Sequence, residues 1–111
     1  MGRNCDDHSK NFSFRLKQGG TWELAPAYDV TFAHNPGSKW THQHLMSVNG
    51  KFTDFRQEDL LAVADRFAIG TASRVIGQVR KAIKAWLRYA SAAGVGTKQM
   101  QYIESRLLPL G

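Results

Sequence analysis

Apolar and polar residues alternate along Phe12-Ser13-Phe14-Arg15-Leu16-Lys17, and the alternation resumes at Trp22-Glu23-Leu24 after Gln18-Gly19-Gly20-Thr21. A period of two puts every second side chain on one face of a strand, and the glycine pair supplies a turn, so a β-hairpin is predicted. Pro26 ends the second strand, because it has no N–H for a ladder and restricts the residue before it. Asp29 is therefore predicted on a loop just past the hairpin. Between Thr31 and Thr53 no period is sustained, and Asn35-Pro36-Gly37-Ser38 and Asn49-Gly50-Lys51 are turn signals. That stretch is predicted irregular, with at most one short strand.

At Arg56 the period becomes helical. Leu60, Leu61, Val63, Ala64 and Phe67 recur at spacings of three and four, Glu58 and Asp59 stand near the start, and Gly70 is the predicted end. The clearest element is a helix predicted from about Ser73 to Ala92. Val75, Ile76, Val79, Ala82, Ile83, Trp86, Leu87 and Ala90 form its apolar stripe, and Arg74, Lys81, Lys84 and Arg88 its opposite face. Trp86, Tyr89 and Tyr102 are read as core aromatics. Gly94 and Gly96 break this helix, and Thr97 is the predicted N-cap of a last one, which turns Met100, Ile103 and Leu107 inward and stops at Pro109. The sum is one α+β domain over residues 1–111, a hairpin with about three helices. Residues 1–52 carry the hairpin and loops, and residues 53–111 the helices.

A hydrophobic content of 42% fits a globular chain, and 111 residues leave room for one modest core. The single cysteine, Cys5, excludes an internal disulfide framework and fits a reducing cytoplasm. No apolar run approaches the roughly 18 residues of a membrane span, and a soluble cytoplasmic protein is expected. The net charge of +6 is unevenly placed: through Gly70 eight Lys/Arg balance eight Asp/Glu, whereas from Thr71 onward seven Lys/Arg face Glu104 alone. An electrostatic partner is expected to meet that last third.

Arg3-Asn4-Cys5-Asp6-Asp7-His8-Ser9-Lys10-Asn11 crowds ionisable and amide side chains into a stretch with no amphipathic period. Asp6 and Asn11 precede the hairpin and Asp29 follows it. Since a hairpin returns to its starting point, the three are expected to converge. Phosphoryl transfer needs such a set: a carboxylate for the substrate hydroxyl, and hard oxygen ligands that hold magnesium against phosphates. The order Asp-x-x-x-x-Asn, hairpin, Asp is that of protein kinases, although Tyr28-Asp29-Val30 stands where eukaryotic kinases have Asp-Phe-Gly.

Asp6-Asp7-His8-Ser9-Lys10-Asn11-Phe12-Ser13, followed by Trp22-Glu23-Leu24-Ala25-Pro26-Ala27-Tyr28-Asp29-Val30-Thr31-Phe32-Ala33, closely resembles the HipA toxin kinases, and the segment His44 to Lys51 is similar to them. The resemblance implies Asp6 as catalytic base, Asn11 and Asp29 as magnesium ligands, and His8 and Lys10 as supporting groups of the catalytic loop. It also implies ATP and magnesium as cofactors, a serine or threonine of a protein as substrate, and a DNA-binding antitoxin as partner in a toxin–antitoxin system. About ten residues precede the hairpin, too few for the family's ATP-anchoring N-terminal lobe. The chain is thus expected to be the C-terminal part of such a kinase, with that lobe absent or supplied by another polypeptide. Positioning can lower a barrier by roughly 7–11 kcal/mol, so negligible turnover is expected from the chain alone. An apolar surface left bare would favour a homodimer or a heteromeric partner.

A second reading makes the chain a non-catalytic module that uses Arg74, Lys81, Lys84 and Arg88, with Arg80 beside them, to meet nucleic acid or an acidic protein. His34, His42 and His44 are read as ordinary histidines, since no carboxylate or cysteine completes a metal shell and the last two have strand-like spacing.

Overall fold

In the computed structural model, residues 1–110 are described. The hairpin forms as β1 (Phe14–Leu16) and β2 (Trp22–Leu24), an antiparallel pair in the register Phe14↔Leu24, Arg15↔Glu23, Leu16↔Trp22. Directly opposed residues share a face. Phe14, Leu16, Trp22 and Leu24 therefore make one apolar face, and each is more than half exposed. The other face carries Glu23, paired with Arg15 and, at 3.3 Å, with Lys17.

Four helices follow, one more than the periodicity predicts: α1 (Gln57–Arg66), α2 (Ala72–Lys84), α3 (Trp86–Ala92) and α4 (Thr97–Arg106). The predicted rod from Ser73 to Ala92 is broken at Ala85, which turns with φ −89° and ψ 8° and whose N–H reaches back to Ala82 and Ile83. No glycine or proline marks the break. Beyond it the Trp86 indole donates to the Met100 carbonyl of α4 at 3.0 Å, so the two halves of the apolar stripe serve different partners: α2 packs on α1, and α3 on α4. Tyr89, expected in the core, lies 56% exposed under the Arg88 guanidinium, which also donates to its hydroxyl. Trp86 is only partly exposed. Tyr102 is 39% exposed, its ring meeting Phe32 edge-on.

Helix α1 stops four residues before Gly70. Ala68 takes the left-handed conformation, φ 55°. The Ile69 N–H then bonds the Ala64 carbonyl at 2.8 Å and the Ala68 N–H the Asp65 carbonyl at 3.1 Å. These two bonds make a Schellman cap. Gly94, φ 76°, makes the same cap after α3, with Val95 N–H on Ala90 and Gly94 N–H on Ser91. At the start of α4 the N-cap is Gly96, and Thr97 is the first helical residue. The helix ends at Arg106, short of Pro109, and the tail turns back so that Leu108 N–H bonds the Met1 carbonyl. Arg80 holds that tail through the carbonyls of Pro109 and Leu110.

The core is small: Cys5, Ala64, Ile76, Ala90 and Ile103 are its buried apolar residues. One polar anchor joins loop and helix. Buried Asp59, in the first turn of α1, accepts from the Arg56 N–H at 2.8 Å, Lys51 Nζ at 2.9 Å and Asn49 Nδ2 at 3.1 Å. Lys51 first, then the Arg56 amide and Asn49, pull its carboxyl down to about 2. Asn49 and Gly50, both at positive φ, form the predicted turn, closed by paired bonds between Val48 and Lys51. No helix among the described residues is long and apolar enough to cross a membrane.

Candidate functional site

The stretch before the hairpin and the loop after it lie side by side. Cys5 N–H bonds the Ala33 carbonyl at 2.9 Å and Ala33 N–H the Arg3 carbonyl at 3.0 Å, a parallel bridge centred on Asn4. Within this frame Ser9–Asn11 make one 3-10 turn, and the hairpin base is closed by Ala25 N–H on the Ser13 carbonyl at 2.8 Å. The Tyr28 hydroxyl donates to the Lys10 carbonyl at 2.6 Å, tying the far end of the hairpin to the loop that precedes it.

A cavity of about 260 Å³ opens between them, walled by Asn4, Asp7, Asn11, Tyr28 and Asp29 with apolar residues of the hairpin base. Two of the three side chains expected to converge, Asn11 and Asp29, thus share one cavity. Asp6 is exposed and does not wall it; its link is its backbone carbonyl, which accepts from Asn11 Nδ2 at 3.1 Å. With the amide nitrogen so engaged, Asn11 Oδ1 has no donor on it among the described residues, and neither has the Asp29 carboxylate. An amide oxygen and a carboxylate are hard donors of the kind magnesium takes, so these residues fit that cation.

Asp29 sits at φ 53°, the left-handed region. An Asp there costs on the order of 1 kcal/mol and persists only where its surroundings fix it. Its carbonyl accepts from Asn4 Nδ2 at 2.7 Å and from Thr31 N–H at 3.1 Å.

Asp7 has a separate task. Its carboxylate accepts from Leu45 N–H at 2.8 Å and meets His44 Nδ1 at 2.9 Å, docking the irregular loop onto the stretch before the hairpin. Sequence reasoning gave neither Asp7 nor Asn4 a role, although both lie in the polar opening segment it singled out. His8 starts the 3-10 turn, with Nδ1 closed off from solvent and without a partner among the described residues. Lys10 is exposed and enters the site's frame through its carbonyl.

The other histidines have local partners. His34 accepts from the Arg3 guanidinium at Nε2, and burial, then the Arg3 charge, hold its pKa below the ordinary histidine value. His42 Nδ1 meets the Ser38 carbonyl, and neither His42 nor His44 lies in a strand. Burial pushes the Cys5 thiol up.

The basic residues do not form one helical face. Arg74, Lys81 and Lys84 stand exposed on α2, but Arg88 belongs to α3 and folds over Tyr89, while Arg80 is committed to the C-terminal tail.

Comparison with known proteins adds one finding: a family model described as HipA-like C-terminal domain matches residues 1–87. No curated protein and no solved structure matches the chain. Since the matched residues make up well over half of the 111, and include the whole of the cavity and the frame around it, the chain belongs to the HipA-like C-terminal domain family.

Proposed function

We propose that the chain carries the catalytic-loop side of a serine/threonine protein kinase, transferring the γ-phosphoryl group of ATP to a protein hydroxyl. The observation that carries this reading is the meeting of Asn11 and Asp29 in one cavity, with Asn11 oriented by the carbonyl of Asp6. Magnesium, when bound, neutralises charge on the phosphate oxygens. Asn11 Oδ1 and the Asp29 carboxylate are the groups that would hold it. Asp6 is exposed beside them and accepts the proton of the incoming hydroxyl, a task that requires a carboxylate reachable by a protein substrate. Asp7 cannot take that role while its oxygens are occupied by Leu45 and His44. His8 and Lys10 support the loop that carries Asp6 and Asn11.

The toxin role, a DNA-binding antitoxin as partner and a cytoplasmic site of action are part of the same family-level reading. The bare apolar face of the hairpin supports an associated polypeptide. Cation binding is the property that tests this reading in the chain directly. Magnesium titration, followed by backbone amide shifts, should perturb residues 6–11 and 28–31 in the wild type and leave them still in Asp29→Ala. Equal responses from the two proteins would remove the basis for the kinase reading.

A further inference from the structure

From the geometry around Asp29 we infer that Asn4 is a positioning residue of the cation site, holding Asp29 at the cavity wall in its left-handed backbone conformation. The inference rests on the reading of Asn11 and Asp29 as cation ligands.

Asp29 is left-handed, at φ 53°, and no glycine relieves it. Both acceptor positions of its carbonyl are filled, by Asn4 Nδ2 at 2.7 Å and by Thr31 N–H at 3.1 Å. With the carbonyl so engaged, the carboxylate is the group this residue can offer a cation. The Thr31 bond spans two residues and can form only within the loop. Asn4 instead reaches across 25 positions of sequence from the parallel bridge that joins it to Ala33, so it fixes the loop relative to the stretch bearing Asn11. The two ligands thereby stand on one frame.

The side chain's own environment supports this assignment. Asn4 Oδ1 is closed off from solvent and has no hydrogen-bond partner among the described residues. A buried amide oxygen without a donor is unfavourable, and an alanine would avoid the cost. Flipping the amide would set that oxygen against the Asp29 carbonyl oxygen, so the orientation is dictated by the bond to Asp29. The residue acts through its N–H, the group that reaches Asp29.

Loss of such an outer support costs typically 10–100-fold in metal affinity. The test is Mn²⁺ titration of the full chain, followed by the EPR signal of free Mn²⁺, with thermal melts alongside. Asn4→Ala and Asn4→Asp both delete the donor and should each weaken Mn²⁺ binding at least about tenfold. Asn49→Ala, which removes one comparable bond from a different loop, should leave affinity unchanged, separating positioning from a general loss of stability. Wild-type affinity in both Asn4 variants, with binding still lost in Asp29→Ala, would overturn the role of Asn4 and spare the cation site. Tighter binding by Asn4→Asp would make residue 4 an oxygen ligand and also overturn it. Wild-type affinity in Asp29→Ala would defeat the cation reading itself, and this inference with it.

Discussion

Two adjacent carboxylates, Asp6 and Asp7, stand in opposite surroundings, one exposed and the other hydrogen-bonded, and stability measurements can separate them. Asp7 accepts one backbone N–H and meets one imidazole nitrogen, and its side chain is 24% exposed, that of His44 16%. A hydrogen bond to a charged group contributes about 1.5–3 kcal/mol, and partial exposure places these two near the lower end. Asp7→Ala should therefore cost about 2–3 kcal/mol. At about 2.1 cal/mol/K of unfolding entropy per residue, the chain has a ΔS near 0.23 kcal/mol/K, so the melting midpoint should fall by about 9–13 °C. Asp6→Ala removes a side chain with no partner among the described residues and should stay within about 0.5 kcal/mol of wild type. Calorimetry or far-UV circular dichroism on both variants decides the matter. Equal losses, or a larger loss at Asp6, would refute the reading of Asp7 as the anchoring carboxylate of the pair.

Two further outcomes follow from the anchors of α1. Ala68→Gly relieves a left-handed residue, about 1–2 kcal/mol, against about 0.5–1 kcal/mol for the freer unfolded chain; the melting midpoint should rise by about 2–4 °C, and a fall would mean that the cap is not left-handed at that position. Asp59 has a carboxyl pulled down to about 2, so its contribution is complete above the unfolded carboxylate range near pH 4 and is lost as pH falls towards 2. Lys51→Met removes the largest cause and should move acid unfolding to higher pH; superimposable acid titrations of the two proteins would contradict the pairing.

What the residue pattern discloses, and what it conceals, follows from where each structural decision is made. The hairpin, the Asn49-Gly50 turn and the end of α3 at Gly94 are decided locally, by alternation and by residues that accept positive φ, and all were legible. The end of α1 was not, because Ala68 has no intrinsic preference for the left-handed region. There the cap accompanies burial of Ala64 and places Ile69 beside Val63 in the groove between α1 and α2. Nor was the break at Ala85, where Ala82-Ile83-Lys84-Ala85 is good helical sequence and the bond from Trp86 to Met100, 14 residues on, accompanies the change of partner. At the site, Asn11 and Asp29 were legible because a hairpin must bring its ends together. Which of Asp6 and Asp7 turns inward was not: the two are chemically identical, and the choice is made by Leu45 and His44, some 37 positions away.

That distribution explains how the site is built. The buried apolar residues Ala64, Ile76, Ala90 and Ile103 lie in the helices, and of the described residues before the hairpin only Cys5 joins them. The loops of the site are held instead by polar ties that each span a long sequence interval: Asn4 to Asp29, Tyr28 to Lys10, Asp7 to His44 and Leu45, and the bridge from Arg3 and Cys5 to Ala33. Directional bonds fix orientation more sharply than apolar contact does, which is what the proposed phosphoryl transfer would need. They contribute less to stability, and a two-stranded hairpin is marginal by itself. Here its four large apolar side chains remain exposed. Covering that face would add burial beside loops now held chiefly by hydrogen bonds, so association at the hairpin would stiffen the loop before it without touching Asn11 or Asp29.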